Sequence, residues 1–200
     1  MNEPIEFAFS LRSPYAWLAA RVVLPQVHPD VPLRWSPLYP LPTFRNFGAM
    51  LPTKVRYLIE DLRRLTKLHD LPLGRPPAEE PDWSLPHTAF VYAEREGGGP
   101  AFALALMDAR WSRGEDVASE AVMRRAAEQA GLDPEAVVAA SADPDRRAAL
   151  REQIQRDYDE RGIFGVPMFV LPDGARFWGH DRMEWALRHG YVRAATDAAP

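Results

Sequence analysis

The chain has 200 residues, of which 46% are hydrophobic and 26% charged, with a formal net charge of -4 and no cysteine. That length suffices for one sizeable domain, or a domain carrying an insertion, with an adequate core. The acidic balance argues against a general nucleic-acid binder, and the missing cysteines exclude disulfides, CxxC redox pairs and thiolate metal sites.

Residues 5–10 are rich in Phe and Ile and read as a buried strand. Ser13 followed by Pro14 is a helix start, with serine at the cap and proline at the first helical position. Trp17, Leu18, Val22 and Leu24 line the inner face of that helix, which ends near Pro25 or His28-Pro29. Val31–Trp35 reads as a second strand, completing a βαβ unit with parallel strands. Val55, Leu58, Ile59, Leu62 and Leu65 recur at helical spacing over 54–69. Gly74–Pro81 is a polar, proline-rich loop. Ser84 with Pro86 starts another helix, Gly97-Gly98-Gly99 breaks it, and 102–111, 117–130, 134–140 and 143–161 are further helical patterns. Val166–Leu171 and Ala175–Trp178 flank the turn signal Pro172-Asp173-Gly174, predicting a hairpin. A last helix spans about 181–189.

The plan is therefore βαβ, a helical block, then ββα. It predicts an α/β thioredoxin-like fold formed by 1–40 and 162–193, a helical insertion over 41–161, and a flexible tail over 194–200. No apolar run approaches the roughly 20 residues that span a bilayer. The start Met1–Ile5 shows no basic segment followed by a long apolar run, so a cytoplasmic protein without a membrane partner is expected.

Three constellations could carry chemistry. At the Ser13 helix start, unpaired amides and the helix dipole favour an anion, to which the hydroxyl can donate; the plainer reading is a cap alone. Val166-Pro167 reads by itself as a trans proline opening an edge strand; in thioredoxin-like proteins, which the element plan resembles, a cis proline here leaves the backbone of the preceding residue free for a peptide-like ligand. In Gly179-His180-Asp181-Arg182, Asp181 is expected to cap the last helix. Its carboxylate could pair with a ligand ammonium while the helix amides receive a ligand carboxylate, and a simple cap is again the plainer reading. The five histidines show no metal-ligand spacing, and no G-x-S-x-G elbow occurs.

Ser13-Pro14-Tyr15-Ala16-Trp17-Leu18, Lys54-Val55-Arg56-Tyr57, Ser84-Leu85-Pro86, Gly162–Pro167 and Phe177–Arg182 occur together in this order. In them the chain resembles the family of 2-hydroxychromene-2-carboxylate isomerases and kappa-class glutathione transferases, a DsbA-like branch of the thioredoxin superfamily. The similarity covers about residues 5–190. It implies glutathione as cofactor, with Ser13 hydrogen-bonded to the glutathione sulfur and Val166, before a cis Pro167, pairing with the cysteinyl part. It further implies His180 and Asp181 at the γ-glutamyl end, Lys54 near the bound tripeptide, and Asn46 matching a family asparagine across a shortened 38–52 loop. Many relatives carry Gln or Ser where His180 stands, and Thr where Met168 stands. The implied activity is isomerisation of a small aromatic or unsaturated carbonyl compound through glutathione thiolate, with electrophile conjugation or a non-catalytic binding role as alternatives. The resemblance also implies a homodimer. Because the catalytic thiol would belong to the cofactor, a chain without cysteine is compatible with this chemistry.

Overall fold

A computed structural model describes residues 3–39 and 50–195. Four strands form one mixed sheet in the order β2-β1-β3-β4, with β1 Ile5–Phe9, β2 Leu33–Pro37, β3 Met168–Val170 and β4 Arg176–Trp178. β1 and β2 are parallel, Phe7 opposite Trp35, whereas β3 runs antiparallel to both β1 and β4, with Phe169 opposite Phe7 and Phe177. All five residues of β1 are buried, as its near-continuous apolar run and inner position require.

Alternation along β1 sends its side chains to two faces. Ile5, Phe7 and Phe9 join the larger core, where Trp35 sits edge-on to Phe7 at 4.8 Å and Phe90 edge-on to Phe9 at 4.9 Å. Ala8 joins Leu150, Ile154, Ile163 and Met168 on the opposite face. Glu6 shares that second face and is 2% exposed. Its burial opposes ionisation, but hydrogen bonds from Arg161, Ser36 and Arg34 outweigh it and hold the carboxyl below its ordinary range.

The crossover between β1 and β2 is one continuous helical path in three registers. α1 (Pro14–Leu18) passes into a π turn at Ala19–Val23 and a 3₁₀ turn at Leu24–Gln26. Pro25 has no N–H for the carbonyl one turn back, so the ladder changes register as it approaches that residue. Trp17, fully buried, donates its indole N–H to Asp108 at 2.9 Å and thereby ties α1 to a helix more than ninety residues away.

Between β2 and β3 the regular elements among the described residues are all helices: α2 Pro52–Leu68, α3 Ser84–Arg95, α4 Gly99–Trp111, α5 Glu120–Gln129, α6 Pro134–Ala142 and α7 Pro144–Arg161. Asp133 and Asp143 accept backbone N–H bonds at the starts of α6 and α7, each followed by proline at the first helical position. Gly162 ends α7 in the left-handed conformation, with φ 62°. α8 (His180–Arg188) then packs back toward the crossover helix. Expected element limits hold to within three residues nearly everywhere. α3 differs in having Trp83 at its cap and Ser84 already helical, with Asp82 accepting from the Ser84 N–H and hydroxyl. The tail is pinned where fraying was expected to begin, since Ala194 bridges Val27 and the Ala195 N–H donates to the Gln26 carbonyl at 2.7 Å. Among the described residues, no helix is long and apolar enough to cross a membrane.

Candidate functional site

Ser13 stands at the end of a loop held from both sides. Its own N–H donates to the Ser10 carbonyl, and its Oγ accepts from the Ala16 N–H at 3.1 Å, so serine caps α1 as its sequence position predicts. Accepting that bond leaves the hydroxyl hydrogen free to donate elsewhere. Beneath the loop, His87 is fully buried: Nε2 accepts from the Leu11 N–H at 3.1 Å while Nδ1 lies 2.6 Å from the Trp83 carbonyl. These two partners require the neutral tautomer protonated at Nδ1, and burial pushes His87 down to about 4. Trp111 donates from its indole N–H to the Leu11 carbonyl at 3.1 Å, adding a third support.

The Val166-Pro167 bond is cis. The N–H and C=O of Val166 have no backbone partner among the described residues, whereas the next carbonyl, of Pro167, accepts from the Gly179 N–H at 2.9 Å. That bond joins the proline loop to the start of α8. The sheet edge therefore continues past β3 as one open donor and acceptor, an arrangement that fits an extended peptide-like group.

The start of α8 differs from its expected form. Gly179, at φ 108°, occupies the cap and offers no side chain, while Asp181 lies in the first turn. The helix amides are thus left without a side-chain acceptor at the cap, and the Asp181 carboxylate folds back toward Gly179. A Cβ on that glycine would stand 2.6 Å from Asp181 Oδ1. One carboxylate and a set of open amides side by side can accept an ammonium and a carboxylate together.

Tyr15 joins these parts. Its ring stacks on His180 at 5.3 Å and 16°, and its hydroxyl donates to Asp61 on α2 at 2.8 Å. Burial, reinforced by the Asp61 carboxylate, pushes the phenol well above its ordinary range and keeps it a donor. Burial lowers His180, with the nearby carboxylates of Asp181, Asp61 and Glu184 opposing it. The start of α8 is thus tied to the proline loop through Gly179 and Pro167, and to the helix that Ser13 caps through His180 and Tyr15. Lys54 is exposed on the first turn of α2, with no polar partner among the described residues. Asn46 lies outside the described residues.

A groove of about 870 Å³ is lined by Pro14, by Val55, Leu58 and Leu62 of α2, and by Glu80, Arg110 and Trp111. Its lining is mainly apolar, suiting a flat hydrophobic body set beside the Ser13 hydroxyl. Sequence reasoning did not assign Tyr15, Asp61, His87 or Arg110 a role. For Arg110 a signal existed, a guanidinium beside Trp111 in the mainly apolar helical run Phe102–Trp111, whose other charged residue is Asp108. For the others, only the folded pairing reveals the role.

The chain is 28% identical over 195 residues to 2-hydroxychromene-2-carboxylate isomerase from Sphingobium xenophagum, covering 92% of this chain and 96% of that protein. Its fold is similar to a solved 2-hydroxychromene-2-carboxylate isomerase, with TM-score 0.74 at 22% identity and 94% of each chain covered. It is also similar to the cytosolic disulfide reductase DsbM from Pseudomonas aeruginosa with GSH, with TM-score 0.67 at 19% identity, covering 94% of this chain and 99% of that one. Residues 4–189 match the DSBA-like thioredoxin domain, and the chain belongs to that family.

Proposed function

We propose that this protein is a glutathione-dependent isomerase of the 2-hydroxychromene-2-carboxylate isomerase type, acting on a small aromatic or unsaturated carbonyl compound. The observation that carries the reading is the convergence of three open groups in a chain without cysteine: the Ser13 hydroxyl, the unpaired Val166 backbone and the uncapped start of α8 beside Asp181. These are the three kinds of contact that a tripeptide with a thiol at its centre and an α-amino acid at one end would take. The relative at 28% identity is named for this isomerisation, and a fold neighbour was solved with GSH.

Bound glutathione would supply a thiol whose ionised form adds reversibly to conjugated carbonyl compounds. The residues of this chain supply the rest. Ser13 donates a hydrogen bond toward the sulfur, in the field of the α1 amides, and favours thiolate over thiol. Val166 pairs through its main chain with the central residue, as an added strand would. The α8 amides and Asp181 take the two charges of the γ-glutamyl end, and Tyr15 keeps His180 flat beside them. The groove along α2 receives the electrophile beside Pro14, the neighbour of Ser13.

Calorimetry with glutathione, followed by an isomerase assay on a hydroxychromene carboxylate, tests the reading. Saturable binding, weakened roughly ten- to hundredfold in Asp181→Ala, is expected where a hydrogen bond to a charged group is lost. Absence of binding at millimolar glutathione would remove the cofactor from the proposal. Release of a glutathione adduct in place of isomer would make the enzyme a kappa-like transferase.

A further inference from the structure

Arg110 is 5% exposed, yet among the described residues its Nε and Nη1 have no hydrogen-bond partner. Its guanidinium lies 5.1 Å from the ring of Trp83 and 5.7 Å from that of Trp111, which fixes its plane without satisfying its N–H groups. Glu80 is the nearest carboxylate, and its Oε2 is 3.8 Å from Arg110 Nη2, outside hydrogen-bond reach. That oxygen already accepts from the Trp83 indole at 2.8 Å, and its partner Oε1 is 3.6 Å from Arg12. A buried guanidinium left in this state is costly, and a planar anion offering two oxygens is its natural complement.

Arg110 also lines the groove to which Pro14 contributes, as do Arg63 and Arg75. We propose that Arg110 forms an anion subsite for the electrophile, so that the groove selects a flat apolar body whose carboxylate docks on Arg110 and whose reactive carbon is presented toward Ser13. This assignment deepens the isomerase reading and rests on it for the identity of the reacting end. Burial also depresses the guanidinium below its ordinary range, with the Glu80 and Asp116 carboxylates opposing it. A neutral analogue of the same shape would leave the same N–H groups unpaired, so discrimination should be large.

Cinnamate and its neutral isostere cinnamamide are the probes, titrated into the intact protein without glutathione and followed by tryptophan fluorescence. Trp83 and Trp111 flank the subsite and should report occupancy. Cinnamate should bind roughly ten- to hundredfold more tightly than cinnamamide, the range for a hydrogen bond to a charged group. In Arg110→Met this preference should vanish while cinnamamide affinity stays the same. Equal binding of the two probes to the native protein, or a preference that survives Arg110→Met, would overturn the assignment. Should Arg110→Met fail to fold, Glu80→Gln serves in its place. Exposed Glu80 is the competing carboxylate, so its neutralisation should tighten cinnamate, and unchanged or weaker binding would refute the subsite. Glutathione titrations of the same variants separate the two possible carboxylates. If Arg110→Met weakened glutathione but not cinnamate, the subsite would belong to the tripeptide and the proposal would fall. Because the probes are read without glutathione, a failure of the cofactor reading appears separately, as absent glutathione binding with the cinnamate preference intact.

Discussion

The ring of Tyr15 lies flat against His180, 5.3 Å between centroids, and so couples the start of the crossover helix to the start of the last helix. The same side chain reaches α2 through Asp61, which also receives Arg64 at 3.1 Å. Three segments distant in sequence are thus aligned by one phenol. The ring's role and the hydroxyl's role can be separated by mutation.

Tyr15→Phe keeps the stack and deletes one hydrogen bond. Stability should fall by about 1 kcal/mol, and glutathione affinity should stay within about twofold. Tyr15→Leu removes the ring as well and should weaken glutathione several-fold, in line with the roughly 0.5–1.5 kcal/mol of an aromatic pair. Urea denaturation and calorimetry on both variants provide the comparison. Equal glutathione affinity in the two would show that His180 needs no support.

Ser13→Ala deletes the donor and leaves the helix dipole in place. Turnover should fall roughly 10²–10³-fold, as for other single donors to a developing anion. The thiol in the glutathione complex should titrate at higher pH, because a free thiol ionises near about 8.5 and less would now oppose that value. The lost cap costs only about 1 kcal/mol, so folding should survive. Thiolate absorbance against pH checks the shift. Coincident curves with unchanged turnover would leave Ser13 as a cap.

Gly179→Ala should harm both fold and site. Its φ of 108° is foreign to side chains, and the new methyl would meet Asp181 Oδ1. A destabilisation of about 1–3 kcal/mol is expected, with displaced Asp181 and weaker glutathione binding. Denaturant midpoints and calorimetry measure the two effects. A variant as stable as the parent would contradict the backbone account.

His87 imposes an acid limit. The unfolded chain takes up its proton near 6.5, whereas the fold resists protonation until about 4. Between these values the unfolded state binds more protons, so stability rises with pH. The contribution is complete above 6.5 and is lost as pH falls toward 4, to a total of up to about 3 kcal/mol. His87→Gln keeps a donor and an acceptor but cannot titrate, and it should flatten this part of the stability curve. Urea midpoints from pH 4 to 7 give the slope, and an unchanged slope would locate the acid sensitivity elsewhere.

Local rules were enough to read the elements in order. Strand β1 announced itself by an apolar run broken only at Glu6, α1 by Ser13-Pro14, α6 and α7 by Asp133-Pro134 and Asp143-Pro144, and the hairpin by Pro172-Asp173-Gly174. Each of these signals acts over a few neighbouring residues, through capping, fixed φ or alternation. The motifs also sufficed to suggest Ser13, Val166 and Asp181 as members of one site, because the resemblance joins short strings in a fixed order. The cap of α8 was misread for an equally local reason. Aspartate is the better cap by preference, but the Pro167 carbonyl takes the Gly179 N–H and sets the helix start two residues earlier.

What the sequence by itself determined, then, was the order and kind of the elements, the absence of a protein thiol and the chemical types at the candidate site. What only the tertiary structure decided was which distant side chains meet: Tyr15 with His180 and Asp61, His87 under the Ser13 loop, and Arg110 in the wall of the α2 groove. Those pairings arise from packing between segments up to more than a hundred and fifty residues apart, where no periodicity or capping rule operates. That Arg110 Nε and Nη1 lack hydrogen-bond partners among the described residues is likewise a property of the assembled core. A sequence records that a guanidinium is present, and only the fold fixes whether water or protein can satisfy it.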